Sequence, residues 1–356
     1  MATTPLEPNR IIPLTPGNTQ TNEDPDHPRD ILSSTFIRDN VDNDDDDTDN
    51  DEEEFDFITS QWENGVEIGL TISWPGSHRP LQLSTKLTED RIAPLFDGTQ
   101  WAGTRVWKAA VVALEYLLSL QLSSSTTTIT TTTTTNNPQQ PYPSLLELGC
   151  GLGVPAMIWH LLQEASHVDT PTAGATSKPL SRVVLTDMPD LLPQLEANVR
   201  HNFPDSYGTC IQAKPLDWSK EGLQTLWKQE QEQQRELEEK RMTTSSEESN
   251  LTDRRHAPVF DICLNCDCIY EPLYGRKAWE SLADVLAEVA RVSPSTLIVT
   301  SVERRTGDGV EEFWHRLQDS GTIQSVQQVI RNDEDPHHII EVYVTKGIEV
   351  SDTSSI

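Results

Sequence analysis

The segment LLELGCGLG, residues 145–153, determines how the rest of the sequence is interpreted. Its first four residues resemble a buried strand, and the glycines that follow favour a tight turn. A helical pattern starts at Val154. A strand that leads through a glycine-rich turn into a helix is typical of α/β folds that bind a ligand at the carboxyl end of a central strand.

Apolar strands alternate with amphipathic helices after this segment, which predicts an α/β fold with a parallel, doubly wound sheet. The last two predicted strands, 323–330 and 338–345, are joined by a connection too short for a crossover helix, so we predict a C-terminal antiparallel hairpin. The other predicted strands are 182–186, 211–216, 260–266 and 295–301, and the predicted helices are 154–162, 191–202, 275–291 and 309–320.

Two shorter patterns precede the central segment. Residues 66–74 alternate apolar and polar side chains, which predicts a half-buried strand, and the turn signal Trp74-Pro75-Gly76-Ser77 leads to a second strand at 81–86. Residues 103–120 carry apolar side chains at helical spacing, so we predict a helix there.

The remaining segments are low in apolar residues. Residues 21–60 carry sixteen acids against two arginines, and a chain of this composition cannot bury enough surface to offset its entropy. We therefore predict one folded domain and four non-core segments. The acidic tail at 1–55 and the C-terminus at 348–356 are predicted to be disordered. The folded domain spans 56–347 and contains a threonine-rich insert at 121–143 and a charged insert at 229–256.

The net charge and the cysteine content indicate which kinds of partner and which cellular compartment suit this protein. The formal net charge of -30 argues against a nucleic-acid partner, which requires clustered Lys and Arg. The acidic tail is either a solvated segment or a site for a basic partner. No apolar stretch predicts a membrane span, and five cysteines without a disulfide framework favour a reducing compartment, the cytosol or the nucleus.

Glu147 is unusual because it interrupts an apolar strand just before the glycine turn. A carboxylate there would repel a pyrophosphate but suits the cationic amino-acid end of S-adenosylmethionine. The turn also lacks the G-x-G-x-x-G spacing of dinucleotide binders, which argues against a dehydrogenase. A plain tight turn remains the structural alternative for the glycines.

Acidic and aromatic residues end the next strands. Asp187 can accept the hydrogen bonds of both hydroxyl groups of a ribose. Alternatively, Asp187 caps the following helix, a role that Asp190 could also fill. Asp217 can accept from an adenine amino group and Trp218 can wall the adenine, although either could be ordinary packing.

Together these motifs resemble methyltransferase family 16, the seven-β-strand protein-lysine N-methyltransferases. The resemblance covers about residues 60–347 outside the inserts, and rests on segments 101–120, 145–153, 184–202, 216–218 and 260–270. It implies a seven-strand Rossmann-like class I methyltransferase sheet, S-adenosyl-L-methionine as cofactor, and a protein substrate that presents a lysine.

The resemblance also implies roles for individual residues. Gly103-Thr104-Arg105-Val106-Trp107 is similar to the family's Gly-x-x-Val-Trp, whose Trp lines the cofactor pocket. Asp267-x-x-Tyr270 is similar to the element that borders the entering lysine, so we predict Asp267 and Tyr270 as the catalytic pair. The predicted cofactor-binding residues are Trp107, Glu147, Gly149, Gly151, Asp187, Trp218 and Cys266.

Three alternatives stay open at this point. Cys263, Cys266 and Cys268 could suggest zinc, but they alternate between strand faces and have no nearby His, so we predict no metal. The acceptor could be a histidine or a small molecule, since family members with different acceptors look alike. A non-catalytic adaptor that retains the fold is the third alternative.

Overall fold

The computed structural model describes residues 55–64, 66–86, 103–126, 142–168, 180–244, 259–333 and 338–348. The predictions for the acidic tail up to residue 54, for most of the threonine-rich insert, for residues 245–258 and for the C-terminal residues 349–356 lie outside these ranges.

Strands and helices alternate along most of the described chain. Their bounds, in chain order, are β1 Ile58–Glu63, β2 Val66–Ile72, β3 Leu81–Ser84, α1 Lys108–Thr126, β4 Leu145–Leu148, α2 Val154–Val168, β5 Val183–Asp187, α3 Leu192–Asn202, β6 Ile211–Pro215, α4 Lys220–Thr244, β7 Ile262–Cys266, α5 Glu271–Tyr274, α6 Arg276–Val292, β8 Leu297–Arg304, α7 Val310–Asp319, β9 Ile323–Asn332 and β10 Ile339–Gly347.

The main sheet has seven strands in the order β6-β5-β4-β7-β8-β10-β9. The strands from β6 to β8 pair in parallel, whereas β10 pairs antiparallel with both β8 and β9. This arrangement confirms the predicted α/β class, the mostly parallel sheet and the C-terminal antiparallel hairpin. β4 is the third strand in this order and lies between β5 and β7, so the glycine turn that follows it is inside the sheet and not at an outer strand.

Side chains of β4 alternate between two hydrophobic cores, one on each face of the sheet. Leu145 belongs to the core shared with α1, α2, α3 and the small sheet, and Leu146 belongs to the core shared with α4, α6 and α7. Helices on both faces explain why the parallel strands are almost continuously apolar. The parallel strands thus end together at one edge, where the loops after them can form a site.

A separate antiparallel sheet of β1, β2 and β3 lies next to α3. Asn198 and Asn202 of α3 accept hydrogen bonds from the backbone N–H groups of Ser84 and Gln82. The strands β2 and β3 agree with the predicted pair. β1 was not predicted, because its side chains are mostly exposed and show no apolar alternation.

Three predicted helices have different bounds in the structure. The first begins at Lys108 rather than at residue 103, and it continues to Thr126, inside the predicted threonine-rich insert. The helix after the glycine turn continues to Val168. α4 runs without interruption from Lys220 to Thr244 and includes much of the predicted charged insert.

α4 places part of the charged insert predicted for residues 229–256 against the core. Leu223, Leu226 and Trp227 of its first half are buried in the core, and Glu230 is fully buried. Glu230 pairs with Arg182 at 2.8 Å and also with Lys214. The charged composition therefore conceals a helix whose first half packs on the sheet. None of the described helices combines the length and apolar character needed to cross a bilayer.

Candidate active site

A cavity of about 560 Å³ opens at the carboxyl ends of β4, β5, β6 and β7. The glycine turn forms its floor, and residues from the segment before α1 and from α5 and α6 close its sides. This volume is in the range of small-molecule sites, and its place at the carboxyl edge of a parallel sheet is where α/β folds bind ligands.

The glycine turn lies close to the walls of the cavity. Gly149 has a φ of +60°, and a Cβ atom placed there would lie 2.6 Å from Cζ2 of Trp218 and 2.8 Å from Sγ of Cys268. A larger residue would therefore meet both the left-handed backbone strain and these two side chains. The absence of a side chain at Gly149 keeps open the space between the turn and Trp218.

Asp187 fastens the turn to the end of the neighbouring strand. Its Oδ2 accepts the N–H of Gly151 at 2.7 Å, and its Oδ1 accepts the N–H of Met188 at 2.7 Å. The cap position of α3 is Leu191, so neither Asp187 nor Asp190 is the N-cap, and the capping alternative is wrong. Burial raises the pKa of Asp187 despite these two hydrogen bonds.

Glu147 is almost fully buried at the base of the cavity. Its Oε2 accepts the N–H of Ala156 at 3.1 Å, in the first turn of α2, where the helix dipole favours an anion. Burial, with a smaller contribution from the nearby Asp187 carboxylate, nevertheless raises the pKa of Glu147 to about 8. A cation bound close by would favour the ionised form of Glu147.

The charged side chains around the cavity are mainly acidic. Four carboxylates and two cations line it, and the two most deeply buried of these groups, Glu147 and Asp187, are both acids. A ligand with a positive charge near the glycine turn would therefore be favoured over an anionic one. The four acids are Glu147, Asp187, Asp190 and Asp217, and the two cations are Arg105 and Lys277.

Large apolar side chains supply flat walls. Trp107 and Trp218 line the cavity, and so does Met188, which follows Asp187 and is 55% exposed. Aromatic faces and a flexible thioether suit a planar base. An adenine between these walls would place its ribose near Asp187, since Met188 is the next residue.

All seven residues predicted to bind the cofactor line this one cavity, although their binding role stays a prediction. They are Trp107, Glu147, Gly149, Gly151, Asp187, Trp218 and Cys266. The two predicted catalytic residues, Asp267 and Tyr270, are not among the lining residues.

Asp267 instead belongs to an ion-paired cluster beside the cavity. Its oxygens lie 3.2 and 2.9 Å from the guanidinium of Arg305, and Oδ1 also accepts the N–H of Glu303. Asp267 has a φ of +53°, which turns the chain sharply between the lining residues Cys266 and Cys268. The catalytic roles of Asp267 and Tyr270 remain predictions.

Sequence reasoning missed several lining residues, among which Tyr274 is the most informative. It lies one helical turn after Tyr270, at the end of α5, and lines the cavity. Burial raises the pKa of Tyr274 well above its ordinary value, so its phenol remains a hydrogen-bond donor. The i, i+4 spacing from Tyr270 was the only available signal.

Cys150, Cys266 and Cys268 also line the cavity. Burial raises the pKa of all three thiols, and each remains a free thiol. Among the described residues, no group of three or more His, Cys, Asp or Glu side chains is arranged to hold a metal ion.

Comparison with known proteins gives a match to a family model. The model of the lysine methyltransferase family matches residues 89–234. The resemblance predicted from the sequence is thus confirmed over less than half of the chain. This part includes the glycine turn, Asp187 and Trp218, but ends before Asp267 and Tyr270.

Individual relatives are more distant. The secreted RxLR effector protein 48 of Plasmopara viticola is 27% identical over 164 residues, which are 44% of this chain and 70% of that protein. A TehB-like SAM-dependent methyltransferase from Corynebacterium glutamicum is 10% identical, with a TM-score of 0.35, and 73% of this chain and 97% of that one are covered.

The N-methyltransferase NodS from Bradyrhizobium japonicum is similarly distant. It is 15% identical, with a TM-score of 0.35 over 66% of this chain and 94% of its own. Because both TM-scores are low, the fold assignment rests on the strand order of this chain itself.

Proposed function

We propose that this protein is a methyltransferase that uses S-adenosyl-L-methionine to methylate the side-chain amine of a lysine in a protein substrate. The single observation that carries the proposal is the arrangement of Glu147 and Asp187, two buried carboxylates on adjacent strands, behind a glycine turn held by Asp187. The match to the lysine methyltransferase family supports it.

The residues of the cavity fit this cofactor. Glu147 would face its cationic amino-acid end, Asp187 would accept from the ribose hydroxyls, and Trp218 would cover the adenine. Gly149 leaves the space that a Cβ would fill beside Trp218. When bound, S-adenosylmethionine supplies a methyl group already activated by its sulfonium.

Because the methyl group is activated, the protein mainly needs to position the acceptor. An acceptor lysine must lose its proton before its amine can attack the methyl group. Tyr270 and Asp267 are proposed to orient the amine from the end of β7. Tyr274 lies closer to the cofactor cavity and offers a phenol donor at the same end.

Isothermal calorimetry with S-adenosylmethionine tests the cofactor assignment. The wild-type protein should bind it, and Gly149→Arg should abolish binding because the new side chain would fill the cavity. Absence of binding by the wild type, or equal binding by Gly149→Arg, would overturn the assignment and leave the adaptor alternative.

Transfer is tested with tritiated cofactor and a lysate from cells that lack the enzyme. Mass spectrometry of the labelled band should find methylated lysine, whereas methylated histidine would overturn the acceptor assignment. Tyr270→Phe and Asp267→Ala should keep cofactor binding, because neither residue lines the cavity, but should lose transfer. Full transfer by both variants would exclude the proposed roles of these residues.

A further inference from the structure

Arg305, which follows β8, is surrounded by two aromatic rings and two carboxylates. Its guanidinium carbon lies 5.7 Å from the ring centroid of Trp107 and 4.9 Å from that of Tyr270. The guanidinium pairs with Asp267 at 2.9 Å and with Glu303. We call these four neighbours the Arg305 enclosure.

The residues of the enclosure could also bind a cation other than the arginine side chain. Aromatic faces together with carboxylates are what proteins use to bind alkylammonium groups. Asp267 and Glu303 can carry two negative charges, whereas Arg305 carries one positive charge. Glu303 uses its second oxygen, Oε1, for a contact of 2.6 Å with Nδ1 of His338. A cation is therefore favoured here, because without Arg305 two buried carboxylates would lose the cation that they share.

The enclosure shares a wall with the cofactor cavity. Trp107 belongs to both, and Asp267 lies between the lining residues Cys266 and Cys268. The side chain of Arg305 is 16% exposed, so the enclosure can be reached from solvent on one side. A long side chain that entered from that side would have its terminal cation beside the cofactor cavity.

We propose that the Arg305 enclosure is the cation site of the acceptor side chain, and that Arg305 occupies it until the acceptor displaces the guanidinium. This deepens the proposed function and rests on it. Exchange of one cation for another keeps Asp267 and Glu303 paired, so neither carboxylate is left buried alone. Asp267 then recognises the acceptor only after it has released Arg305.

The first test uses tetramethylammonium chloride as the probe and omits the cofactor. Arg305→Gln should bind the probe about tenfold more tightly than wild type if Arg305 fills the site about nine-tenths of the time. Arg305→Lys keeps the internal cation and should resemble wild type. Arg316→Gln, which breaks an exposed ion pair with Asp284, is the matched control and should not change the affinity.

Tyr270→Leu in the Arg305→Gln background should remove the gain in affinity, because one ring of the enclosure is lost. Equal or weaker probe binding by Arg305→Gln, or no binding by any variant, would overturn the proposal. Calorimetry with S-adenosylmethionine alone is a separate readout, because Arg305 does not line the cavity. Failure of the cofactor assignment and failure of this site are therefore distinguishable.

If Arg305→Gln does not fold, the proposal can still be tested by NMR on the wild-type protein. The probe should shift the NMR signal of the Arg305 Nε–H group and leave that of Arg316 unchanged. A constant Arg305 signal while the Trp107 indole signal responds would mean that the cation binds without displacing Arg305, and this would overturn the proposal. In transfer assays, Arg305→Gln should lower KM for N-acetyl-lysine amide rather than raise kcat.

Discussion

The Oδ2 atom of Asp187, at the end of β5, accepts the backbone N–H of Gly151 at 2.7 Å, although the two residues lie 36 positions apart. The bond holds the glycine turn against the neighbouring strand. A turn that is already ordered loses less entropy on binding, so this contact prepares the cavity for its ligand.

Replacement of Asp187 should therefore affect cofactor binding in two ways. Asp187→Ala removes the anchor of Gly151 and the proposed ribose acceptor, and we expect a loss of about 2–3 kcal/mol in binding free energy, because hydrogen bonds to charged groups contribute about that much. Asp187→Asn keeps one carbonyl oxygen and should lose less. Calorimetry measures both, with Asp284→Asn as the surface control. Unchanged affinity in Asp187→Ala would rule out the ribose contact.

Burial of Glu147 makes the stability of the fold depend on pH. The carboxyl has a pKa of about 8 in the folded protein against 4.5 ordinarily, so the folded state keeps a proton that the unfolded state releases. The contribution of this carboxyl to stability is therefore most favourable below pH 4.5 and falls as pH rises towards 8. At pH 7 the cost is on the order of 2–3 kcal/mol.

Glu147→Gln should remove this cost, because the amide is neutral and can still accept from Ala156. We expect a higher Tm than wild type at pH 7 and nearly equal Tm values at pH 4, by thermal denaturation. Glu236→Gln, at an exposed position away from either end of α4, is the control and should leave Tm unchanged at both values. A Tm difference that does not depend on pH would contradict the expectation.

The same carboxyl should couple ligand binding to proton release. A cation beside Glu147 favours its ionised form, so the proton held in the free protein should leave when the cofactor binds. Calorimetry at pH 7 in buffers of different ionisation enthalpy counts the protons released. Glu147→Gln should release fewer than wild type, and an equal number would mean that Glu147 does not face the charge.

Alanine substitutions at two glycines with positive φ distinguish the effect of a steric clash from the effect of backbone strain. Gly149 and Gly208 both have positive φ, but a Cβ at Gly208 has no neighbour within 4 Å, whereas one at Gly149 meets Trp218 and Cys268. Alanine at either position should cost about 1 kcal/mol of stability from the backbone. Only Gly149→Ala should also weaken cofactor binding, and loss of binding in Gly208→Ala would indicate a general effect on the fold.

Much of the main sheet could be predicted because each parallel strand is a short apolar run that ends at a turn signal or a polar residue. β1 could not, since its exposed side chains carry no apolar period. The packing of α4 against the core was not predicted, because a charged residue such as Glu230 is normally expected to be exposed. Glu230 is instead buried, and it pairs with Arg182 and Lys214. Such pairing depends on tertiary contacts that local composition does not show.

The cavity residues could be predicted because they follow strands that end at one edge of the sheet. The surroundings of Asp267 could not, because its partner Arg305 lies 38 positions later and the pairing depends on β7 and β8 being neighbours. Tyr274 was missed for a related reason. The short helix α5 had no sequence signal strong enough to show which tyrosine faces the cavity.

Because β10 lies between β8 and β9, the strands of this half of the sheet must pair in a certain order. Among the strands that the structure describes, β9 pairs in the main sheet with β10 alone, so it has no neighbour there until β10 is in place. Without residues 339–347, β8 is an open edge and β9 is detached. Neither β8 nor β9 can therefore complete its pairing in the main sheet until β10 has been inserted between them.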